Sequence, residues 1–176
     1  MKKSVLLLFF AGCVATGIFG IGRKIPMNRV NDLGQREGYW RDSVGGGFVY
    51  DLYYKGGKKD GLFKCFIRNE LFLFGEYTAD NMSGTWYMFG DEGELRCTID
   101  SIELNKDSIY TGYCRIFCKY KCYCADYYPS GAVKSEGYMV CDEEFEIEIW
   151  EIGEWKYYDE SGNLIKTKDY GDRRTP

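Results

Sequence analysis

The residues with the most obvious chemical potential are cysteines, of which the chain of 176 residues has eight. Four of them, Cys114, Cys118, Cys122 and Cys124, occupy even-numbered positions in one short segment. On a continuous strand alternate side chains share a face, so this spacing predicts cysteines on an apolar face and basic residues on the other. Such thiols could ligate zinc or, in an exported protein, form disulfides.

A zinc site within this predicted strand meets a geometric obstacle. Residues four apart on a strand are separated by roughly 13 Å at about 3.3 Å per residue, whereas zinc holds its sulfur ligands at about 2.3 Å. Only Cys122 and Cys124 could share an ion, with help from Cys65, Cys97 or Cys141. We therefore expect no metal and no cofactor, and we interpret the cysteines as buried small side chains.

Disulfides are the second interpretation of these thiols. Besides Cys13, seven cysteines remain, so at least one would stay unpaired or bridge to another chain. Cys97 or Cys141, facing the cysteine strand from a neighbouring strand, would be the cross-strand partner. Strand register decides between them, because a disulfide requires closely spaced backbones.

Other patterns that could support catalysis have simpler structural interpretations. The chain has no histidine, which removes the commonest general base and the commonest metal ligand. Gly45-Gly46-Gly47 lacks the following lysine-serine pair of a phosphate-binding loop and predicts a hairpin turn. Glu144, Glu146 and Glu148 could bind calcium or act as an acid/base pair, but a charged outer strand face that prevents edge pairing explains them better. We expect a protein that is not an enzyme.

A repeated element must position all these residues. The segment 84–95 recurs at 153–164 with glycine, tryptophan, an aromatic pair, an acidic turn, glycine and leucine at the same offsets. Gly38, Gly61 and Gly84 follow one another at a spacing of 23 residues, and the second copy begins three such periods further on. A fixed period of this size predicts stacked supersecondary units.

Each unit has the pattern of two short strands joined by a tight turn. In the last copy the aromatic segment 155–158 suits a half-buried strand, the segment 159–162 supplies turn residues, and 164–167 returns as the second strand. A hairpin alone is marginal in water, so each unit must pack against its neighbours. We therefore predict an all-β fold, an elongated antiparallel meander of β-hairpin repeats. The repeat residues expected to be structural are Gly38, Trp40, Gly61, Gly84, Trp86, Gly93, Gly153, Trp155 and Gly162.

The pattern resembles the MORN-repeat family in its bacterial form. The resemblance covers roughly residues 31–98 and 125–170. The matching segments are 34–40, 54–61, 75–86 and 131–138. Bacterial members are often labelled YwqK-family antitoxins, so the resemblance implies a protein partner.

The first 22 residues have the character of a targeting or anchoring segment. Lys2 and Lys3 precede an apolar core, and the sequence Phe10-Ala11-Gly12-Cys13 resembles the lipobox of bacterial lipoproteins, in which the cysteine is lipidated. The apolar run continues to Gly22 and approaches the roughly 20 residues of a membrane-spanning helix. A lipoprotein signal with lipidation at Cys13 is the leading interpretation, and a signal anchor or an ordinary cleaved signal are the alternatives. All three interpretations place the rest of the chain at the cell envelope, outside the cytoplasm.

Behind this leader we expect a linker at 23–33 and a MORN-like repeat domain at 34–170. The domain contains a cysteine-rich insert at 99–124, and a polar tail follows at 171–176. Removing Lys2 and Lys3 lowers the basic count from 23 to 21 against 27 acidic residues, a net charge of about −6. This negative charge argues against nucleic acid as a partner.

These observations predict a non-catalytic, membrane-tethered protein that binds a protein partner at the bacterial cell envelope. Outward tyrosines and tryptophans would provide the contact surface, since those residue types favour recognition. Glycan binding by the same surface is one alternative. Neutralisation of a partner toxin, implied by the family label, is another and would require a partner in the cytoplasm or at the membrane.

The leader generates a direct prediction about processing. The intact mass of the protein extracted from its native membrane should show loss of residues 1–12 and acyl chains on Cys13. An unprocessed chain in the soluble cytoplasmic fraction would contradict export. It would also imply reduced cysteines and favour a cytoplasmic protein partner.

Overall fold

The computed structural model describes residues 26–106, 118–142 and 149–171. Within these ranges twelve strands form one open antiparallel sheet. The strands are β1 (Arg29–Val30), β2 (Arg36–Val44), β3 (Phe48–Lys55), β4 (Lys58–Lys59), β5 (Gly61–Ile67), β6 (Glu70–Thr78), β7 (Asn81–Phe89), β8 (Leu95–Leu104), β9 (Tyr120–Tyr127), β10 (Val133–Cys141), β11 (Ile149–Tyr158) and β12 (Leu164–Asp169). Each strand pairs with its successor, except that β4 pairs only with β3. The prediction of an all-β antiparallel meander is confirmed.

The two long sequence copies fold into the same hairpin turn. After β7, the Gly90 amide donates to the Glu94 carbonyl at 2.9 Å, and the Gly93 amide donates to the Gly90 carbonyl at 3.0 Å. After β11, the Asp159 amide donates to the Asn163 carbonyl at 3.0 Å, and the Gly162 amide donates to the Asp159 carbonyl at 3.0 Å. The fourth residue is glycine in both turns because its φ angle is positive.

Two other repeat glycines lie at bulges inside their strands. Gly84 in β7 and Gly153 in β11 have φ angles of 64° and 60°, a conformation that costs other residues energy. The pairing register between β6 and β7 shifts next to Gly84, and the register between β10 and β11 shifts next to Gly153. Such a shift is typical of a β-bulge. Two residues further on, Trp86 and Trp155 lie on the inner face of the sheet.

Both tryptophan rings pack directly on a glycine of the neighbouring strand. A Cβ atom added at Gly75 in β6 would lie 2.1 Å from the Trp86 ring, and one added at Gly137 in β10 would lie 2.5 Å from the Trp155 ring. Trp86 is 0% and Trp155 is 4% exposed. The repeat tryptophans therefore belong to the core, and each requires a neighbour without a side chain.

The inner face of the sheet carries the main hydrophobic core. Its buried members are Leu52, Phe63, Cys65, Leu73, Tyr77, Met82, Trp86, Cys97, Ile99, Tyr120, Cys122, Cys124, Met139, Cys141 and Trp155. The Tyr120 hydroxyl on β9 accepts a hydrogen bond from the Met82 amide on β7 at 3.0 Å. This bond joins β7 to a side chain of β9 across the inner face of the intervening strand β8.

A smaller cluster lies on the opposite, outward face. It contains buried Cys118, Val140 and Ile152, with Trp150 packed against them. Val140 and Met139 are consecutive residues of β10, and both are 0% exposed. Because consecutive strand residues face opposite sides, β10 is covered on both faces.

The predicted cysteine strand is wrong in one respect. Alternation places Cys118 on the same face as Cys122 and Cys124, but Cys118 packs in the smaller cluster on the outward face. The physical reason is that β9 begins only at Tyr120, so strand periodicity does not extend back to Cys118. Instead, the Cys118 carbonyl accepts a hydrogen bond from the side chain of Asn105 at 2.9 Å.

Some sequence predictions concern residues outside the described ranges. These are Cys13 with the leader, Cys114, the acidic strand residues Glu144, Glu146 and Glu148, and the tail beyond Gly171. Part of the expected linker is ordered, because Arg29–Val30 forms β1 and pairs with β2. Among residues 26–106, 118–142 and 149–171, the structure has no helix able to cross a membrane.

Packing of tryptophan on glycine generates a stability prediction. Gly75→Ala should lower the free energy of unfolding by about 1–3 kcal/mol, since the new methyl group overpacks against the buried Trp86 ring. Gly45→Ala is the matched control, because nothing lies within 4 Å of its Cβ position and its φ is not positive. The control should change stability by less than about 0.5 kcal/mol. Urea unfolding measures both, and equal effects would contradict the packing argument.

Candidate functional site

Four cysteines converge on the inner face of β8, β9 and β10, and we call Cys97, Cys122, Cys124 and Cys141 the thiol cluster. Cys97 lies opposite Asp126 and therefore diagonal to Cys124. Their Sγ atoms are 3.2 Å apart. Cys141 is likewise diagonal to Cys122, with 3.5 Å between the Sγ atoms. The neighbouring strands thus bring one cysteine from each side to the pair on β9.

The thiol cluster is buried in the core of the protein. The most exposed of its four cysteines, Cys97, is 7% exposed. The hydrogen bond with Cys141, followed by burial, raises the pKa of Cys122 above its ordinary value. The hydrogen bond with Cys97, burial and the nearby Asp126 carboxylate raise the pKa of Cys124 in the same direction. Since the thiolate is the reactive form, Cys122 and Cys124 are not activated nucleophiles.

One carboxylate also faces the thiol cluster. Asp126 follows Cys124 by two residues on β9, so both side chains lie on the same face. Asp126 Oδ1 is 4.0 Å from Cys124 Sγ, and Oδ2 accepts a hydrogen bond from Ser135 Oγ at 2.8 Å. Ligand atoms of Cys97, Cys124 and Asp126 all lie within 4.8 Å of one another. Asp126 was not among the predicted site residues, although the spacing Cys124-x-Asp126 was a usable signal.

The structure separates Cys65 from the thiol cluster. Cys65 lies on β5, opposite Tyr50 and Leu73, and β6 and β7 stand between β5 and β8. It is 3% exposed and packs in the main core. Three cysteines were considered as additional ligands for a metal site on β9. Cys97 and Cys141 lie on the strands adjacent to β9, and Cys65 does not.

A second candidate site lies on the outward face of the sheet. Three pairs of aromatic residues stand directly opposite each other across neighbouring strands. The pairs are Tyr39 with Tyr53, Phe74 with Tyr87, and Tyr123 with Tyr138, with ring centroids 5.5, 6.0 and 5.2 Å apart. We call these six residues the aromatic row. Five of the six residues stand next to buried members of the main core on their own strands, and Tyr39 lies directly opposite one of those five, Tyr53, so the row faces away from the core.

The aromatic row is partly open to solvent and bordered by charged groups. Tyr53 is 38% and Tyr138 is 46% exposed. The Lys121 ammonium lies 5.6 Å from the centre of the Tyr138 ring. Burial, followed by a hydrogen bond with Glu136, raises the pKa of Tyr123 to about 12. The rings therefore offer apolar faces and neutral hydroxyls next to fixed charges of both signs.

Trp40 does not join the aromatic row. Its indole N–H donates to the Arg29 carbonyl at 3.1 Å, and the Arg36 guanidinium lies 4.5 Å from the ring centre. Trp40 thus ties β1 and the start of β2 together. None of the three repeat tryptophans contributes to the outward surface.

Comparison with known proteins adds no assignment to this geometry. No protein-family model matches the chain, and no curated protein matches it significantly. The MORN resemblance therefore stays a prediction from sequence.

The raised thiol pKa values generate a pH prediction. The folded protein holds the Cys122 and Cys124 protons more tightly than an unfolded chain, whose thiols have a pKa near 9.0. The associated stability is fully present below pH 9 and is lost as the pH rises above it. Each thiol should lower the free energy of unfolding by about 1.4 kcal/mol per pH unit in that range.

Urea unfolding between pH 8 and 10, with reductant and chelator present, measures this slope. Cys122→Ala removes one of the two thiols and should reduce the slope accordingly, whatever its effect on stability at pH 8. A slope identical in the variant and the parent protein would show that thiol ionisation is not the cause.

Proposed function

We propose that this protein is a non-catalytic, membrane-tethered β-repeat protein that binds a protein partner at the bacterial cell envelope through the aromatic row. The observation that carries the proposal is the set of three aromatic pairs on one outward face, with Tyr53 and Tyr138 38% and 46% exposed. Tyrosine supplies a large contact area with few rotatable bonds, which favours recognition.

The thiol cluster supports a non-catalytic function. Its cysteines are buried, and the raised pKa values of Cys122 and Cys124 suppress their thiolate forms. The buried thiols therefore lie on the inner face of the sheet, and the aromatic rings proposed to contact the partner lie on its outward face.

The finer fold assignment, an elongated array of MORN-like repeats, is part of the same proposal. It is supported by the backbone at the 23-residue period, because Gly38, Gly84 and Gly153 share φ angles of 72°, 64° and 60°, although Gly61 differs at 128°. It is supported further by the repeated packing of Trp86 and Trp155 on neighbouring glycines. Equivalent backbone geometry at equivalent sequence positions is what a structural repeat requires.

Tethering follows from the first 22 residues, whose apolar run and Phe10-Ala11-Gly12-Cys13 sequence support lipidation at Cys13. A tether places the protein at the envelope at high local concentration, where a modest surface suffices for a stable contact. The net charge of about −6 behind the leader supports a protein partner over nucleic acid.

Glycan binding is the second candidate, and one observation favours it. Exposed tyrosine rings next to Lys121 and Glu136 combine a stacking face with hydrogen-bonding groups, as a sugar ring requires. The antitoxin-like alternative uses the same surface and differs only in where the partner lies.

Site-specific cross-linking tests the contact surface. A photoreactive phenylalanine analogue at position 53 or 138 should cross-link, in native membranes, to one and the same protein. The double variant Tyr53→Ser, Tyr138→Ser should weaken that partner's binding at least tenfold, equivalent to about 1.4 kcal/mol.

Leu164 and Ile165 provide the matched control, because they are 55% and 64% exposed apolar residues on β12, outside the aromatic row. The analogue at these positions should not capture the partner, and Leu164→Ser, Ile165→Ser should bind normally. Equal capture at all four positions would contradict a specific contact surface. Binding to envelope polysaccharide that is lost in the tyrosine variant, without a protein cross-link, would replace the proposal with glycan binding.

A further inference from the structure

Two strands bring three potential metal ligands to one place at the rim of the core. Asp126 on β9 stands directly opposite Cys97 on β8, and Cys124 precedes Asp126 by two residues on the same face. The two sulfurs and a carboxylate oxygen all lie within 4.8 Å of one another. The obstacle to a zinc site on one strand, the long spacing between successive cysteines, therefore does not apply to this arrangement.

The distances between the ligand atoms are close to those of a tetrahedral site. Zinc binds sulfur at about 2.3 Å and carboxylate oxygen at about 2.0–2.2 Å, so tetrahedral angles place two sulfurs about 3.8 Å apart and a sulfur and an oxygen about 3.6 Å apart. The Cys97 and Cys124 sulfurs are 3.2 Å apart, and Cys124 Sγ is 4.0 Å from Asp126 Oδ1. The two observed separations differ from these tetrahedral values by about 0.6 and 0.4 Å.

A neighbouring hydroxyl orients the carboxylate. Ser135 on β10 is 5% exposed and donates from Oγ to Asp126 Oδ2 at 2.8 Å. This bond leaves Oδ1 directed towards the Cys124 sulfur. Ligating carboxylates are generally held by such an outer hydrogen bond, which fixes their orientation.

Burial also suits a metal site. Cys97 and Cys124 are 7% and 4% exposed, whereas Asp126 is half-buried and gives a route from solvent. The thiols are thus shielded, and the carboxylate stands at the entrance.

We propose that Cys97, Cys124 and Asp126 bind a thiophilic divalent cation of the zinc class, with Ser135 as the positioning residue. Binding releases the two thiol protons to solvent, and the resulting two thiolates and one carboxylate favour such a cation over magnesium or calcium, which prefer oxygen ligands alone. Three protein ligands leave the fourth tetrahedral position to water. The bound cation would join β8 to β9 and neutralise two of the three ligand charges.

Cobalt titration of the full-length, chemically reduced, metal-free protein tests the site. Co²⁺ should bind in a 1:1 ratio, give the near-ultraviolet charge-transfer band of thiolate ligation and the intense visible bands of tetrahedral cobalt, and be displaced by Zn²⁺. Cys124→Ala should abolish the charge-transfer band of this site. Ser135→Ala should keep the spectrum and weaken binding about 10–100-fold, as expected for loss of an outer-shell partner.

Cys122→Ala is the matched control for Cys124→Ala. Both residues are buried thiols on the inner face of β9, but Cys122 lies outside the proposed ligand set, so this variant should bind as the parent protein does. Asp126→Asn keeps the shape of a half-buried side chain and removes its charge, so it tests the site even where Cys124→Ala does not fold. Far-ultraviolet circular dichroism identifies the folded variants.

Three results would overturn the proposal. The first is an equal loss of binding in Cys122→Ala and Cys124→Ala, which would make the four thiols the ligands. The second is unchanged affinity in Asp126→Asn. The third is a Cys97–Cys124 disulfide in protein isolated from its native membrane, since both sulfurs would then be unavailable to a metal.

Discussion

The packing of a tryptophan ring on a bare glycine is the contact on which the rest of the sheet depends. Trp86 covers Gly75, and Trp155 covers Gly137, with no room for a Cβ atom in either place. The bulge that precedes each tryptophan brings it onto that glycine, and the register of β6 with β7 and of β10 with β11 shifts there. A ring that fits only one neighbour suppresses register slips, which would turn every following side chain to the other face.

These two contacts frame the thiol cluster. Trp86 stands opposite Ile99, Ile99 opposite Cys124, and Cys124 opposite Gly137, on which Trp155 packs. One line of direct neighbours thus crosses the sheet from β7 to β10, with Cys124 between the two tryptophans. The same registers place the aromatic row on the opposite face, because alternate residues of these strands point outward. The candidate metal ligands and the proposed contact surface therefore follow from one set of strand alignments.

The parts of this structure that depend on local sequence could be predicted, and the parts that depend on register could not. Gly93 and Gly162 predict their hairpin turns because positive φ is a local requirement. Asp126 escaped notice because its place opposite Cys97 exists only after β8 and β9 pair. The face of Cys118 was predicted wrongly because the start of β9 at Tyr120 is not marked in the sequence. Gly75 and Gly137 lie in segments that resemble MORN repeats, but their contacts with tryptophan form only after β6 pairs with β7 and β10 pairs with β11.

The two edges of the open sheet differ from its outward face as possible contact surfaces. At one end β1 has only two residues, and at the other β12 is exposed along its whole length. Lys166 and Lys168 on β12 lie over the rings of Tyr157 and Tyr170, 5.4 and 3.9 Å from their centres. Short edge strands and lysines discourage the addition of a further strand. Binding through backbone pairing at an edge is thereby disfavoured, whereas the outward face offers tyrosine rings held by their cross-strand partners. This asymmetry is the reason why the proposed contact surface is the aromatic row and not an edge of the sheet.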